Sequence, residues 1–182
     1  MKSTLVQFVL SIALGLVLCF SISCQSESDK AKLAEMKANA DTLARNKHLA
    51  EDLIKAFNSH NPAAVAQLYA ENQVTIEPGS PEPVRGRKAK EEMLAGTFKV
   101  FPDLNIEITH LSTCRTSITF EGYLKGTHTG PMESPKGKIA PTGRSFKTRI
   151  AFVVKVSPAG LIEEDRTYYD NADLMKQLGL LK

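Results

Sequence analysis

The second half of the chain alternates hydrophobic and polar residues, which is the pattern of strands with one buried face. Nearly every second residue from Ile118 to His128, and again from Phe146 to Val156, is apolar or glycine. Ile106, Ile108 and His110 share one face of a shorter strand before them, and the run from 157 to 160 (SPAG) is a tight turn. The pattern therefore predicts consecutive antiparallel hairpins after residue 103.

The first half has helical periodicity instead. Apolar residues from 43 to 57 fall on one helical face, and a second short helix starts at Pro62, where Asn61 can cap it, and runs through Tyr69. A brief strand follows over 74–77, and a third helix runs from Gly86 to about Phe98. Helices followed by hairpins predict an α+β fold in which the helices pack on one side of the sheet.

The last twenty residues combine both patterns. Ile162, Glu164, Arg166, Tyr168 and Asp170 alternate along a final strand, and apolar residues from 172 to 178 then take helical spacing. Asp170 lies at the junction, with an arginine and a tyrosine on its side of the strand. This arrangement suits acid–base chemistry or the binding of a polar ligand, although aspartate here can equally cap the helix.

The N-terminus has the pattern of an export signal. Lys2 precedes an uncharged run over 3–26, and the sequence of residues 21–24 (SISC) resembles a bacterial lipobox, in which Cys24 receives lipid. We therefore expect a signal peptide over 1–23, a charged tether over 24–40 and one domain over 41–182. The expected location is the cell envelope, lipid-anchored on the outer membrane or facing the periplasm, with plain secretion as the alternative.

Composition narrows the classes of partner. The formal net charge is only +3, without a basic block, so the chain does not fit a nucleic-acid-binding protein. Besides Cys19 and Cys24 only Cys114 is present, so no internal disulfide is expected. No two histidines stand at metal-ligand spacing, which argues against a metal site.

Four short segments, in their order and spacing, resemble the SnoaL-like polyketide cyclases, also called ester cyclases. The segments are 101–104 (FPDL), 126–130 (GTHTG), 141–144 (PTGR) and 177–179 (QLG). The resemblance covers Asn46 to Leu181 and places the chain in the nuclear-transport-factor-2-like superfamily, with ketosteroid isomerase. It implies a cone-shaped barrel, with a strongly curved, mainly antiparallel sheet wrapped around N-terminal helices and closed by a short C-terminal helix.

The resemblance also implies an apolar cavity, no cofactor, and an aspartate that acts as general acid–base. By its place before the final helix, Asp170 matches that aspartate. A carboxyl group in an apolar pocket can exchange a proton near neutral pH. The expected site residues are Asp170 and His128 as catalytic groups, and Arg166, Tyr168, Phe57 and Phe120 as substrate-binding groups. His128 could also be a hydrogen-bonded histidine at the rim.

The sequence thus predicts an exported SnoaL-like domain, a cofactor-independent cyclase or isomerase of a small hydrophobic carbonyl compound. A non-catalytic small-molecule-binding lipoprotein of the same fold is the alternative. A third reading is a homodimeric scaffold in the envelope, paired through the open face of the sheet.

Overall fold

A computed structural model describes residues 27–134 and 137–181 in full, and residues 2–26 only as the start of the first helix. The chain divides into two compact units, Met1–Thr42 and Leu43–Lys182. The expected signal peptide and Cys24, the expected site of lipidation, lie outside the fully described residues. Within the described part, no helix has the length and apolar character needed to cross a membrane.

The residues that the structure describes form four helices and eight strands. The helices are α1 (Lys2–Asn58), α2 (Pro62–Gln67), α3 (Arg87–Val100) and α4 (Asn171–Gln177). The strands are β1 (Tyr69–Ile76), β2 (Val84–Arg85), β3 (Asn105–Thr113), β4 (Ser117–Thr127), β5 (Met132–Ser134), β6 (Gly137–Ile139), β7 (Ser145–Val156) and β8 (Ile162–Tyr169).

Six strands form one sheet in the order β2-β1-β8-β7-β4-β3, and β5 pairs with β6 in a separate hairpin. The pairing of β1 with β8 is parallel and the other pairings are antiparallel. The α+β class, with helices first, a mostly antiparallel sheet and a short C-terminal helix, is confirmed. Tyr69 is an exception, because the second helix ends before it and Tyr69 opens β1.

The core lies between one face of this sheet and the helices. Phe120 on β4, and Ile150 and Val154 on β7, are buried as their alternation predicts. Leu49 on α1 and Leu94 on α3 are buried from the helix side. Burying each such side chain is worth roughly 1.5–3 kcal/mol, so this interface supplies much of the stability of the second unit.

A β-bulge in β3 changes the face of its second half. The pairing of β3 with β4 shifts between Ile108 and His110, opposite Gly122. A Cβ atom at Gly122 would overlap the carbonyl oxygen of Glu107, so only glycine allows this close approach. The extra residue reverses the alternation. The expectation that His110 faces inward with Ile108 is therefore wrong, and His110 is exposed.

A second bulge does the same to β8. Lys155 pairs with Glu164 but the next residue, Val156, pairs with Ile162, which leaves Glu163 as the extra residue. Ile162 faces the core, and beyond the bulge Asp165 and Thr167 are the buried residues. The single face expected from Ile162 to Asp170 is therefore wrong, because the bulge inserts one residue into the period of two.

Two asparagines fix the end of α1 against the sheet. Asn46, fully buried, donates from Nδ2 to the carbonyl oxygens of Cys114 (2.7 Å) and Arg115 (3.1 Å). Asn58 exchanges two hydrogen bonds with the backbone of Ile106, at 2.8 and 3.0 Å. These bonds hold the last turns of α1 over β3 and β4.

Candidate functional site

A narrow apolar cavity lies between the helices and the inner face of the sheet. Its volume is about 40 Å³. Since one water needs roughly 10–15 Å³ on the same measure, there is room for a ligand of a few heavy atoms. The polar part of the wall is formed by Tyr69, Lys90 and Asp165, and the apolar part includes Leu53, Ile54, Phe57, Leu94, Ile106 and Phe120.

Asp165 is the acidic group of this wall and is only 2% exposed. Its Oδ2 atom accepts two hydrogen bonds, from the Tyr69 hydroxyl at 2.8 Å and from Lys90 Nζ at 2.9 Å. Its Oδ1 atom is buried without a hydrogen-bond partner. A buried acceptor that lacks a partner costs stability, so Oδ1 is a natural place for a ligand to donate a hydrogen bond or a proton.

Lys90 reaches the cavity from α3, on the same helical face as Leu94. Its side chain is only 6% exposed, and Nζ lies 4.9 Å from the centre of the Tyr69 ring. The one hydrogen bond that the structure gives Nζ goes to Asp165. An ammonium group has three N–H donors, so Lys90 retains donors for a ligand.

Tyr69 is a hydrogen-bond donor that stays protonated. Burial raises the pKa of its hydroxyl well above 10.0, and the charge of Asp165 raises it further. Tyr69 therefore donates to Asp165 at any physiological pH, and the position of Oδ2 is fixed from two sides.

The polar cluster continues along the parallel pair of β1 and β8, where Thr75 lies opposite Asp165. Burial raises the pKa of the partly buried Glu77. The charge of Lys90 lowers this pKa, and the charge of Asp165 raises it further. Burial and the charge of Glu77 raise the pKa of Tyr169 to about 12, and its hydroxyl donates to the Pro78 carbonyl oxygen at 2.9 Å. Glu77 therefore interacts electrostatically with the site but does not line the cavity.

Asp170, the residue expected to be catalytic, is exposed and caps α4. Its Oδ1 accepts a hydrogen bond from the backbone N–H of Asp173 at 2.9 Å. Arg166 pairs with Glu164 at 2.5 Å, and Tyr168 is 52% exposed. None of the three expected residues, Asp170, Arg166 and Tyr168, lines the apolar cavity.

His128 is fully buried, yet it too lies away from the cavity wall. Its Nδ1 accepts from the backbone N–H of Thr142 at 3.3 Å, and its ring centre lies 5.7 Å from that of Phe101. Its Nε2 is buried without a partner. By contrast, Phe57 and Phe120 both line the cavity, where substrate-binding residues were expected.

Comparison with known proteins identifies the family. The model of the SnoaL-like polyketide cyclase family matches residues 47–178. The chain belongs to this family. No curated protein matches the SnoaL-like chain.

Solved structures share the fold of this SnoaL-like domain. IdmH from Streptomyces antibioticus, a candidate polyketide cyclase, is 25% identical, with a TM-score of 0.61 over 74% of this chain and 98% of IdmH. A SnoaL-like protein from Jannaschia sp. CCS1 is 15% identical, with a TM-score of 0.67 over 76% and 94% of the two chains. A protein with a ketosteroid isomerase-like fold from Catenulispora acidiphila, solved with trimethylamine, is 20% identical, with a TM-score of 0.61 over 72% and 92%.

Sequence reasoning missed the three polar residues of the SnoaL-like cavity, and only one of them left a signal. Lys90 precedes Leu94 and Phe98 at intervals of four, so a lysine lies on the apolar stripe of α3. Asp165 was missed because the bulge in β8 reverses its face. Tyr69 was missed because its strand begins directly after a helix.

Proposed function

We propose that this SnoaL-like protein is a cofactor-independent isomerase or cyclase of a small hydrophobic carbonyl compound, with Asp165 as its general acid–base. One observation carries the proposal. Oδ2 of Asp165 is held by Tyr69 and Lys90, while Oδ1 is buried and unpaired at the wall of an apolar cavity. Asp165 thus takes the role that the sequence had suggested for Asp170.

The geometry supports a simple proton transfer. Oδ1 of Asp165 removes a proton from the carbon next to a carbonyl group, and the resulting enolate oxygen accepts a hydrogen bond from Lys90 Nζ. Return of the proton to another carbon gives an isomer. Attack of the enolate carbon on a second carbonyl of the same molecule closes a ring as that C=O π bond breaks, and the new alkoxide takes back the proton held by Asp165. This is the type of reaction that the description of IdmH as a candidate polyketide cyclase suggests.

The size of the cavity limits the substrate. A volume of about 40 Å³ admits the reacting carbonyl end of a molecule but not a folded polyketide chain. A larger substrate requires the wall formed by Phe57 and Phe120 to move. Small ketones such as butanone are therefore suitable probes of the chemistry.

The test is exchange of the α-protons of butanone for deuterium, followed by NMR in D₂O. The parent protein should accelerate this exchange, and Asp165→Asn should lower the protein-dependent rate by roughly 10²–10⁴-fold, the usual contribution of a general base. Asp170→Asn, which alters only the exposed helix cap, is the matched control and should exchange at the parent rate. Parent-like exchange in a folded Asp165→Asn variant would refute the proposed role.

A non-catalytic binding protein of the same fold is the second candidate. The observation that favours it is the ion pair itself, since Lys90 neutralises the charge of Asp165 within the cavity. In that case butanone binds without any accelerated exchange, and Asp165→Asn changes only its affinity.

We also propose that the protein is exported and anchored through lipid on Cys24, and that it forms a homodimer. The uncharged run and the SISC segment support the anchor. The exposed Val153 and Tyr168, on the sheet face away from the helices, support the dimer. Mass spectrometry of the protein purified from bacterial membranes should show a lipidated Cys24, and Cys24→Ser should release an unlipidated protein. An unmodified Cys24 in the membrane fraction would exclude the lipid anchor.

A further inference from the structure

We propose that Lys90 forms a covalent imine with small aldehydes and ketones in the cavity, so that the site binds its carbonyl ligand as an iminium ion. The inference deepens the proposed function and rests on it for the carbonyl class of ligand. It requires three things of the structure: an amine at the cavity wall, a proton acceptor beside it, and a tolerated positive charge.

The amine is placed where few lysines occur. Lysine is almost never buried unless it is paired, and Lys90, paired with Asp165, has a side chain that is only 6% exposed and lines a largely apolar cavity. Lys88, two residues earlier on the same helix, is 90% exposed and pairs with Glu92 at the surface. A surface salt bridge would have served stability as well, so the buried position of Lys90 favours a chemical role.

The proton acceptor is Asp165. Nζ of Lys90 and Oδ2 of Asp165 are 2.9 Å apart, so one proton can pass along an existing hydrogen bond and leave a neutral amine. The amine attacks the carbonyl carbon, and a C–N bond forms as the C=O π bond breaks. The oxygen takes two of the three ammonium protons, carried by Asp165, and leaves as water. A ketone and an ammonium group thus become an iminium group and water, with no oxidant, reductant or cofactor.

The positive charge is conserved through this sequence. Before the reaction one ammonium faces one carboxylate, and afterwards one iminium faces the same carboxylate and lies over the same Tyr69 ring. No additional charge is buried, so the step avoids the desolvation cost that a new ion would carry. The unpaired Oδ1 of Asp165 is then the base that removes the α-proton from the iminium and gives an enamine.

Reductive trapping tests the inference on the full chain. The protein is incubated with butanone and sodium cyanoborohydride, and the alkylated lysines are located by peptide mass spectrometry. Lys90 should be alkylated about ten-fold faster than Lys88, a difference of ~1.4 kcal/mol in activation free energy. A buried lysine with a purely structural role should react more slowly than Lys88, because the reagents reach it less easily. In Asp165→Asn, labelling of Lys90 should fall while labelling of Lys88 stays the same.

The outcomes separate this inference from the proposed function. One outcome is that Lys90 is labelled no faster than Lys88 while Asp165→Asn abolishes butanone exchange. That result overturns the imine and leaves the acid–base proposal standing. Preferential labelling of Lys90, together with parent-like exchange in Asp165→Asn, refutes the acid–base proposal and leaves the imine standing. Lys90→Arg provides a second check, because it keeps the cation but cannot form the imine. A folded Lys90→Arg variant with parent-like butanone exchange also overturns the inference.

Discussion

At the scale of single residues, the two oxygens of Asp165 have different environments. Oδ2 accepts two hydrogen bonds, one of which is the ion pair with Lys90, whereas Oδ1 has no hydrogen-bond partner. Taking an ion pair out of water costs several kcal/mol per ion, and exposed pairs such as Lys88 with Glu92 contribute about 0–1 kcal/mol. The Lys90–Asp165 pair is therefore poorly explained as a stabilising device. A cluster of titratable groups with one free acceptor in a cavity is typical of a functional site.

Glu77 should make the stability of the fold depend on pH. Its pKa in the folded protein is raised, so folding takes up a proton between the ordinary glutamate value, about 4.3, and the raised value. The free energy of unfolding therefore falls as pH rises through that window. Glu77→Gln removes the titration, so the variant should be more stable than the parent at about pH 7 and equally stable at about pH 4.

Urea unfolding at both values of pH measures the effect. Glu92→Gln, which changes an exposed glutamate on α3, is the matched control and should leave the pH dependence of the parent intact. The charges that shift the pKa of Glu77 are those of Lys90 and Asp165, and Glu77 in turn raises the pKa of Tyr69 and Tyr169; all four groups remain in both variants. If Glu77→Gln is no more stable than the parent at neutral pH, the explanation by burial fails.

At the scale of the elements, Asp170 should contribute to stability and not to proton transfer. Its side chain accepts the Asp173 N–H at the start of α4, a position where loss of the cap costs about 0.5–2 kcal/mol. Asp170→Ala should therefore lower the free energy of unfolding by about 1 kcal/mol in urea titrations. Asp170→Asn retains a capping oxygen and should stay close to the parent. A large loss of butanone exchange in either folded variant would return Asp170 to the active site.

The strands show which features the sequence could predict. The alternation in β4 and β7 is unbroken over eleven and twelve residues, so their buried faces were predicted correctly. In β3 and β8 one extra residue reverses the face, and no local residue type in β8 marks the bulge at Glu163. That single residue decides whether Asp165 or Arg166 faces the helices. The fold was therefore predictable from local periodicity, whereas the site depended on pairing between distant strands.

At the scale of the whole molecule, the cavity is a product of long-range assembly. Its polar wall joins Tyr69 of β1, Lys90 of α3 and Asp165 of β8. In the parallel pair of β1 and β8, Tyr69 lies opposite Ile162, and its hydroxyl reaches Asp165 although 96 positions separate the two residues in the chain. Each residue alone has an ordinary structural role, and only the packing of α3 on the assembled sheet makes them a site. Catalytic competence should therefore be lost together with the global fold, in one cooperative transition.

The folding unit should begin before the segment that defines the family. The family match starts at residue 47, but Asn46 is fully buried and binds the carbonyl oxygens of Cys114 and Arg115. Arg45 also donates to the Pro158 carbonyl oxygen at 2.7 Å. A chain shortened to start at residue 43 keeps these three bonds, and one shortened to start at residue 47 loses them.

With three net hydrogen bonds lost at about 1 kcal/mol each, the shorter chain should be less stable by roughly 2–4 kcal/mol. That is a large part of the 5–15 kcal/mol typical of a domain, so its urea midpoint should fall sharply and its butanone exchange should weaken. Asn46→Ala in the chain that starts at residue 43 should reproduce most of the loss, because it removes the two bonds to the carbonyl oxygens and the bond that Arg45 Nη2 donates to Asn46 Oδ1. Equal stability of the two shortened chains would mean that α1 is held by its apolar face alone, through Leu49, Ala50 and Leu53.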